Sequence, residues 1–223
     1  MTSPAVDEDS ARPLLTLGRL DRVRVQVGYR VSPEDAAHEH FLLDVAVPDR
    51  HGADGRDPVD EGRILAALEP VLYLGSDVPR HYSLHQHRWH TSWGLSPAAL
   101  ELGLLVTAGS RTAAVADTAR DSVTRAFREL LALADAPEPA PTARDAAIQQ
   151  ARRSTATAFA VVPDALTVRT EMHHAAENSW TVGLRTTAGE SYDVVVGLVD
   201  GYAGSVRVRH QERVEAFDSV GTT

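Results

Sequence analysis

The first part of the chain alternates apolar and polar residues over two stretches. Valine or tyrosine occupies every second position from Val23 to Val31, with arginine, glutamine or glycine between. The segment Phe41 to Val47 repeats this alternation. A period of two is typical of a strand that buries one of its faces. We therefore predict two strands that pair as antiparallel neighbours.

The rest of this first part mixes helical and strand-like patterns. Val59 to Leu68 spaces its apolar residues as a helix does, and the pattern stops at Pro70. We predict further strands over Val71 to Leu74 and Arg80 to Trp89. Residues 14–94 are therefore expected to form mainly strands, after a flexible acidic tail at residues 1–13.

A long apolar segment follows at residues 95–136. Ser96 can cap a helix, Pro97 suits its first turn, and apolar residues continue at helical spacing as far as Leu131. We predict one long helix over 95–136, or two helices joined near Gly109. Glycine at 103 and 109 costs such a helix about 1 kcal/mol each relative to alanine, which favours close packing or a bend there.

The segment Pro137 to Pro141 holds three prolines and cannot continue a helix. We interpret it as a linker, because proline-rich segments act as semi-rigid spacers. Beyond it, Thr142 and Asp145 stand at the positions of a capping box at the start of another helix. Strand-like runs with turn residues between them, such as Ala188-Gly189, then continue to residue 213.

These elements predict an α+β protein of two subdomains. The first, residues 14–136, is a β-rich antiparallel unit that ends in the long helix. The second, residues 142–213, is a helix packed on a three- to four-stranded antiparallel sheet. Residues 214–223 are expected to be a flexible tail.

Composition and charge exclude several classes of protein. The chain has 223 residues and no cysteine, so disulfides, thiolate metal sites and a cysteine nucleophile are excluded. The formal net charge is −9, which argues against a nucleic-acid partner. All 22 basic residues are arginine, a bias typical of GC-rich bacterial genomes. The N-terminal sequence lacks the pattern of a secretory signal, so we expect a cytoplasmic protein.

The segment Arg80 to Trp93 contains four histidines. On a strand, His81, His85 and His87 project to one face, close enough for their imidazoles to share a zinc ion if a neighbour supplies another ligand. Glu39, His38 and His40 are possible further ligands. The alternative is a set of histidines that hydrogen-bond to water and backbone. No nucleophile elbow, nucleotide-binding loop or convergent carboxylate pair accompanies them, so no catalytic residue and no cofactor are predicted.

The 95–131 segment carries the preferred functional hypothesis. Leucines surround its predicted helix axis, so the helix is either enclosed by its own fold or covered by a partner. Trp89 and Trp93 either close the core or belong to the same docking surface. The hypothesis is a non-catalytic bacterial interaction or assembly subunit, with a protein partner or a homo-oligomer favoured over nucleic acid or a membrane. The alternative is a metal-dependent enzyme or metal-binding protein. The predicted contact residues are Trp89, Trp93, Leu100, Gly103, Leu104 and Thr107.

Overall fold

The computed structural model describes residues 20–48, 59–89 and 98–211 as an α+β fold. Among these residues are three α-helices and eight strands. In chain order they are β1 (Leu20–Arg30), β2 (Glu39–Ala46), α1 (Glu61–Leu68), β3 (Tyr82–Trp89), β4 (Ala98–Thr107), α2 (Ala113–Leu133), α3 (Arg144–Phe159), β5 (Thr167–His174), β6 (Ser179–Arg185), β7 (Ser191–Val196) and β8 (Ser205–Gln211).

All eight strands belong to one mixed sheet with the order β3-β4-β1-β2-β8-β7-β6-β5. β1 and β4 run parallel, and every other neighbouring pair is antiparallel. The pairing of β2 with β8 joins the strands of the two predicted subdomains. The α+β class is confirmed. The predicted separate antiparallel sheets are wrong, because these strands continue one another in a single eight-stranded sheet.

The helices cover opposite faces of the two halves of this sheet. On β2, Phe41 points into a core that contains Phe127 of α2, whereas the adjacent Leu42 packs on the core that contains Ala147 of α3. Successive residues of a strand point to opposite faces. Helices α1 and α2 therefore cover the first face of β3-β4-β1-β2, and α3 covers the second face of β8-β7-β6.

The predicted helix over 95–136 is wrong. Residues 98–107 form strand β4, and helix α2 begins only after Thr112, whose hydroxyl accepts a hydrogen bond from the Val115 amide at 3.4 Å. In β4 the buried residues are Leu100, Leu102, Leu104 and Val106, and the residues between them are half-buried. Because leucine also occupies position 105, the alternation resembles a continuous apolar run, and such runs do not separate strand from helix.

The strands predicted after residue 165 are confirmed, with ends shifted by a few residues. The segment 137–141 is exposed and contains neither helix nor strand. Asn178 donates a hydrogen bond to the Ala140 carbonyl at 3.0 Å, and the Trp180 indole donates one to the Thr142 carbonyl at 2.9 Å. Whether residues 142–213 fold alone stays a prediction.

Among the residues that the model describes, no helix is both long enough and apolar enough to cross a lipid bilayer.

Candidate binding site

On the second face of β3-β4-β1-β2, helix α3 packs only beside β2, where it contacts Leu42 and His40. No helix of the described residues packs on the rest of this face. An open depression of about 520 Å³ lies on it, and a second of about 450 Å³ adjoins it beside α3. Two neighbouring rows of side chains cross the four strands at this place. We call these rows the trough; from β2 to β3 they are Leu42, Gln26, Gly103 and His85, and His40, Gly28, Leu105 and Ser83.

The strand register places these residues together. Gln26 of β1 is opposite Leu42 on one side and Gly103 on the other, and Gly103 is opposite His85. Paired residues on adjacent strands have Cβ atoms about 5 Å apart and share a face. The trough therefore runs across the strands, from a wall formed by α3 to the open edge at β3.

Two glycines form part of the trough floor, and their surroundings differ. A Cβ atom on Gly28 would lie 3.1 Å from Leu105 Cδ1, 3.3 Å from His40 Nδ1 and 3.4 Å from Ala37 Cβ. A Cβ atom on Gly103 would have nothing nearer than His85 Cβ at 3.8 Å, an ordinary contact distance. A Cβ atom would therefore be crowded at position 28, whereas neither packing nor a positive φ disfavours one at position 103.

His40 and Gln26 form a hydrogen-bonded pair at the α3 end of the trough. The Gln26 amide donates to His40 Nδ1 at 2.9 Å, so the ring proton lies on Nε2. The His40 ring contacts the Phe159 ring edge to face, with centroids 4.9 Å apart. Burial lowers the pKa of His40 to about 4, because the low-dielectric surroundings disfavour the charged imidazolium. His40 is therefore neutral at pH 7 and presents fixed hydrogen-bonding groups.

A row that contains three charged residues and one histidine, which we call the charged row, borders the trough. This row crosses β2, β1, β4 and β3, and its neighbouring residues are Asp44, Arg24, Glu101 and His87. Arg22 binds Asp44 through two hydrogen bonds, and Arg24 Nε reaches the same carboxylate at 3.2 Å. This hydrogen bonding raises the pKa of Arg22. The carboxylates and the guanidinium groups thus lie beside the trough. The trough itself contains no Asp, Glu or Arg side chain.

The structure places the predicted zinc ligands on and beside this face. His85 lies in the trough, His87 lies in the charged row, and His81 immediately precedes β3 and is exposed. The possible ligand Glu39 lies on the opposite face, where it is buried and accepts a hydrogen bond from Tyr29 at 3.4 Å. Within the described ranges, no three His, Asp or Glu side chains are grouped closely enough to hold a metal ion. The zinc hypothesis stays a prediction.

The predicted contact residues are divided between the two faces. Leu100 and Leu104 are in the core, with exposures of 0% and 3%. Gly103 lies in the trough, and Thr107 accepts a hydrogen bond from Arg30 at 3.3 Å at the end of β4. Trp89 is the last residue of β3, and Trp93 lies outside the described residues.

Sequence reasoning missed Gln26 and Gly28 and considered His40 only as an optional metal ligand. All three occupy the polar-face positions of the alternating strands β1 and β2. That alternation predicts which face they share, but their approach to His85 and Gly103 depends on the parallel pairing of β1 with β4. No local pattern in the sequence reveals that pairing.

Comparisons of this chain with protein-family models, with curated proteins and with solved structures find no match.

Proposed function

We propose that this protein is a non-catalytic binding protein that holds an extended polypeptide segment of a partner in the trough. The main observation in support of this proposal is the glycine at position 103. Glycine within a strand weakens the strand and often marks a place where a ligand or another backbone approaches closely. Because no contact at 103 requires glycine for folding, close approach of a partner is the physical reason that remains.

The side chains around Gly103 support a polypeptide ligand. Gln26, His40, His85 and Ser83 offer both donors and acceptors, which suits the alternating amide and carbonyl groups of a peptide backbone. Leu42 and Leu105 offer apolar contact for its side chains. The charged row lies beside these groups and not among them. We therefore expect the bound segment to be largely uncharged where it crosses Gly103.

The dimensions of the trough also support this ligand. It crosses four strands, or about 14 Å, which matches four to five residues of extended chain. Within the part of the chain that the structure describes, the trough is open along its length, whereas small-molecule sites usually enclose most of their ligand. A cytoplasmic location for this activity is part of the proposal.

Selection of displayed random peptides tests the proposal. The wild-type protein alone is the target of the selection, and the enriched peptides are then measured against the Gly103→Val variant. Valine suits a strand, and its methyl groups would project into the trough. Met172→Val, at an exposed position on β5, is the matched control.

We expect enriched peptides to bind the wild type and the Met172→Val variant equally. They should bind Gly103→Val at least about tenfold more weakly, a loss of about 1.4 kcal/mol in binding free energy. The proposal is wrong if no peptide is enriched, or if the enriched peptides bind Gly103→Val as well as they bind the wild type.

A further inference from the structure

The two edges of the sheet differ in how they are protected against pairing with another strand. Edge strands in soluble proteins usually carry charges, prolines or bulges that prevent such pairing. β5 has these features: its register shifts between Val168 and Thr170, and it carries Arg169 and Glu171. Glu171 also binds Arg144 of α3 at 2.6 Å.

Among the described residues, β3 is the opposite edge strand of the sheet, and it lacks these features. Its register with β4 is unbroken from Tyr82 to Trp89, and it contains neither proline nor a carboxylate. Its one arginine, Arg88, already binds Glu61 of α1 at 3.1 Å. β3 therefore offers a regular edge with little charge to oppose a second strand.

The hydrogen-bond pattern shows which backbone groups of β3 face this open edge. The His81 carbonyl accepts a hydrogen bond from the Thr107 amide at 2.8 Å, so the odd-numbered residues direct their backbone groups toward β4. Because these directions alternate along a strand, Tyr82, Leu84, Gln86 and Arg88 direct their N–H and C=O groups outward.

An apolar hollow lies along the same edge on the first face. It has a volume of about 350 Å³, and Leu65, Leu68 and Leu72 line it together with Tyr82 and Leu84 of β3. Tyr82 is 45% exposed and Leu84 is 40% exposed, both high for large apolar side chains in a strand. A strand added at this edge would cover both of them.

We propose that two copies of this chain pair through their β3 strands, antiparallel to each other, with the two-fold axis at His85. This register sets Leu84 opposite Gln86 of the second copy and Tyr82 opposite Arg88 of the second copy. It places no two permanently charged residues directly opposite each other, an arrangement that would destabilise the pair. The partner is a second copy because the same strand, whose one arginine already binds Glu61, and the same apolar hollow serve both sides of a two-fold interface.

The dimer would change the proposed binding site. Because β3 forms the open end of the trough, pairing at His85 would bring the troughs of the two copies end to end on the same face. The dimer itself does not depend on the proposed function, whereas the joined trough rests on it. Peptide binding and oligomeric state are measured separately, so the failure of one is distinguishable from the failure of the other.

Light scattering on the full chain tests the dimer. We expect a mass twice the 24.1 kDa of one chain for the wild type and for Met172→Glu, an exposed position on the other edge. Leu84→Glu should give a monomer, since it places carboxylates near the two-fold axis. Gln86→Pro should do the same, because it removes an N–H that faces outward rather than toward β4. Circular dichroism confirms that each variant is folded.

The absence of cysteine allows a direct test of the register. At a non-hydrogen-bonded antiparallel pair the Cα atoms are about 4.5 Å apart, within the range of a disulfide. His85→Cys should therefore form a disulfide-linked dimer under mild oxidation, and Gln86→Cys should form much less. A monomeric wild type, a dimer that persists in folded Leu84→Glu and Gln86→Pro, or stronger cross-linking at 86 than at 85 would overturn the proposal.

Discussion

At the scale of single residues, the neighbours of His40 determine the orientation and the protonation of its ring. Its ring accepts a hydrogen bond from Gln26 and contacts Phe159, and burial lowers its pKa from 6.5 to about 4. The folded protein therefore binds a proton at His40 only at a lower pH than the unfolded chain does. The stability that this difference contributes is complete above about pH 6.5 and is lost as the pH falls toward 4.

As the pH is lowered from about 7.5 to about 5, protonation of His40 in the unfolded chain should lower the free energy of unfolding of the wild type by about 2 kcal/mol. His40→Gln should be less sensitive to pH by that amount, whereas Met172→Gln, at an exposed position on β5, should match the wild type. Urea unfolding at the two pH values measures the effect. Equal pH dependence in all three proteins would show that His40 is not buried as described.

At the scale of secondary-structure elements, β4 decides the architecture, and the sequence did not predict it. In a strand, residues 102 and 105 point to opposite faces, whereas in a helix, residues three apart share a face. Leu102 is fully buried against the helices, and Leu105 is half-buried in the trough.

Alanine substitutions at these two positions distinguish strand from helix. We expect Leu102→Ala to lower the free energy of unfolding by about 2–5 kcal/mol, because it leaves a cavity in the core. Leu105→Ala should cost about 1 kcal/mol or less, because it removes a partly exposed side chain. Similar costs for both, measured by urea unfolding, would contradict the strand.

The elements that the sequence predicted correctly carry their signal locally. The alternation in β1 and β2 and the turn residues between β6 and β7 are examples. The parallel pairing of β1 with β4 and the pairing of β2 with β8 join segments far apart in the chain, and no local pattern encodes them. For the site, the sequence identified His85, His87 and Gly103, but their place beside Gln26 and His40 follows from these long-range pairings.

At the scale of the whole molecule, the seam between β2 and β8 joins two halves whose cores lie on opposite faces of one sheet. The fully buried residues of the α3 core all lie between Ala147 and Val208. Leu42 is the one residue from the first half among the partly buried side chains described against that core. Arg128 of α2 also binds Asp200 across the seam, through hydrogen bonds of 2.7 and 2.8 Å.

Because this core is nearly complete without the first half, we expect the fragment 142–213 to fold when it is expressed alone. Removal of β2 would leave β8 as a new unpaired edge, so the fragment, which lacks β3, should self-associate through β8 instead. Circular dichroism and light scattering measure the two properties. An unfolded fragment beside a folded full chain would show that the halves depend on each other.

The central claim is that Gly103 keeps the trough open for a partner and is not needed for folding. Its most direct test is the free energy of unfolding of Gly103→Ala and Gly28→Ala, the same substitution at two neighbouring floor positions. Gly103→Ala should raise it by about 0.5–1 kcal/mol, because alanine loses less conformational entropy on folding. Gly28→Ala should lower it by about 1–3 kcal/mol, because its Cβ crowds Leu105 and His40. A loss of stability in Gly103→Ala as large as that in Gly28→Ala would contradict the claim.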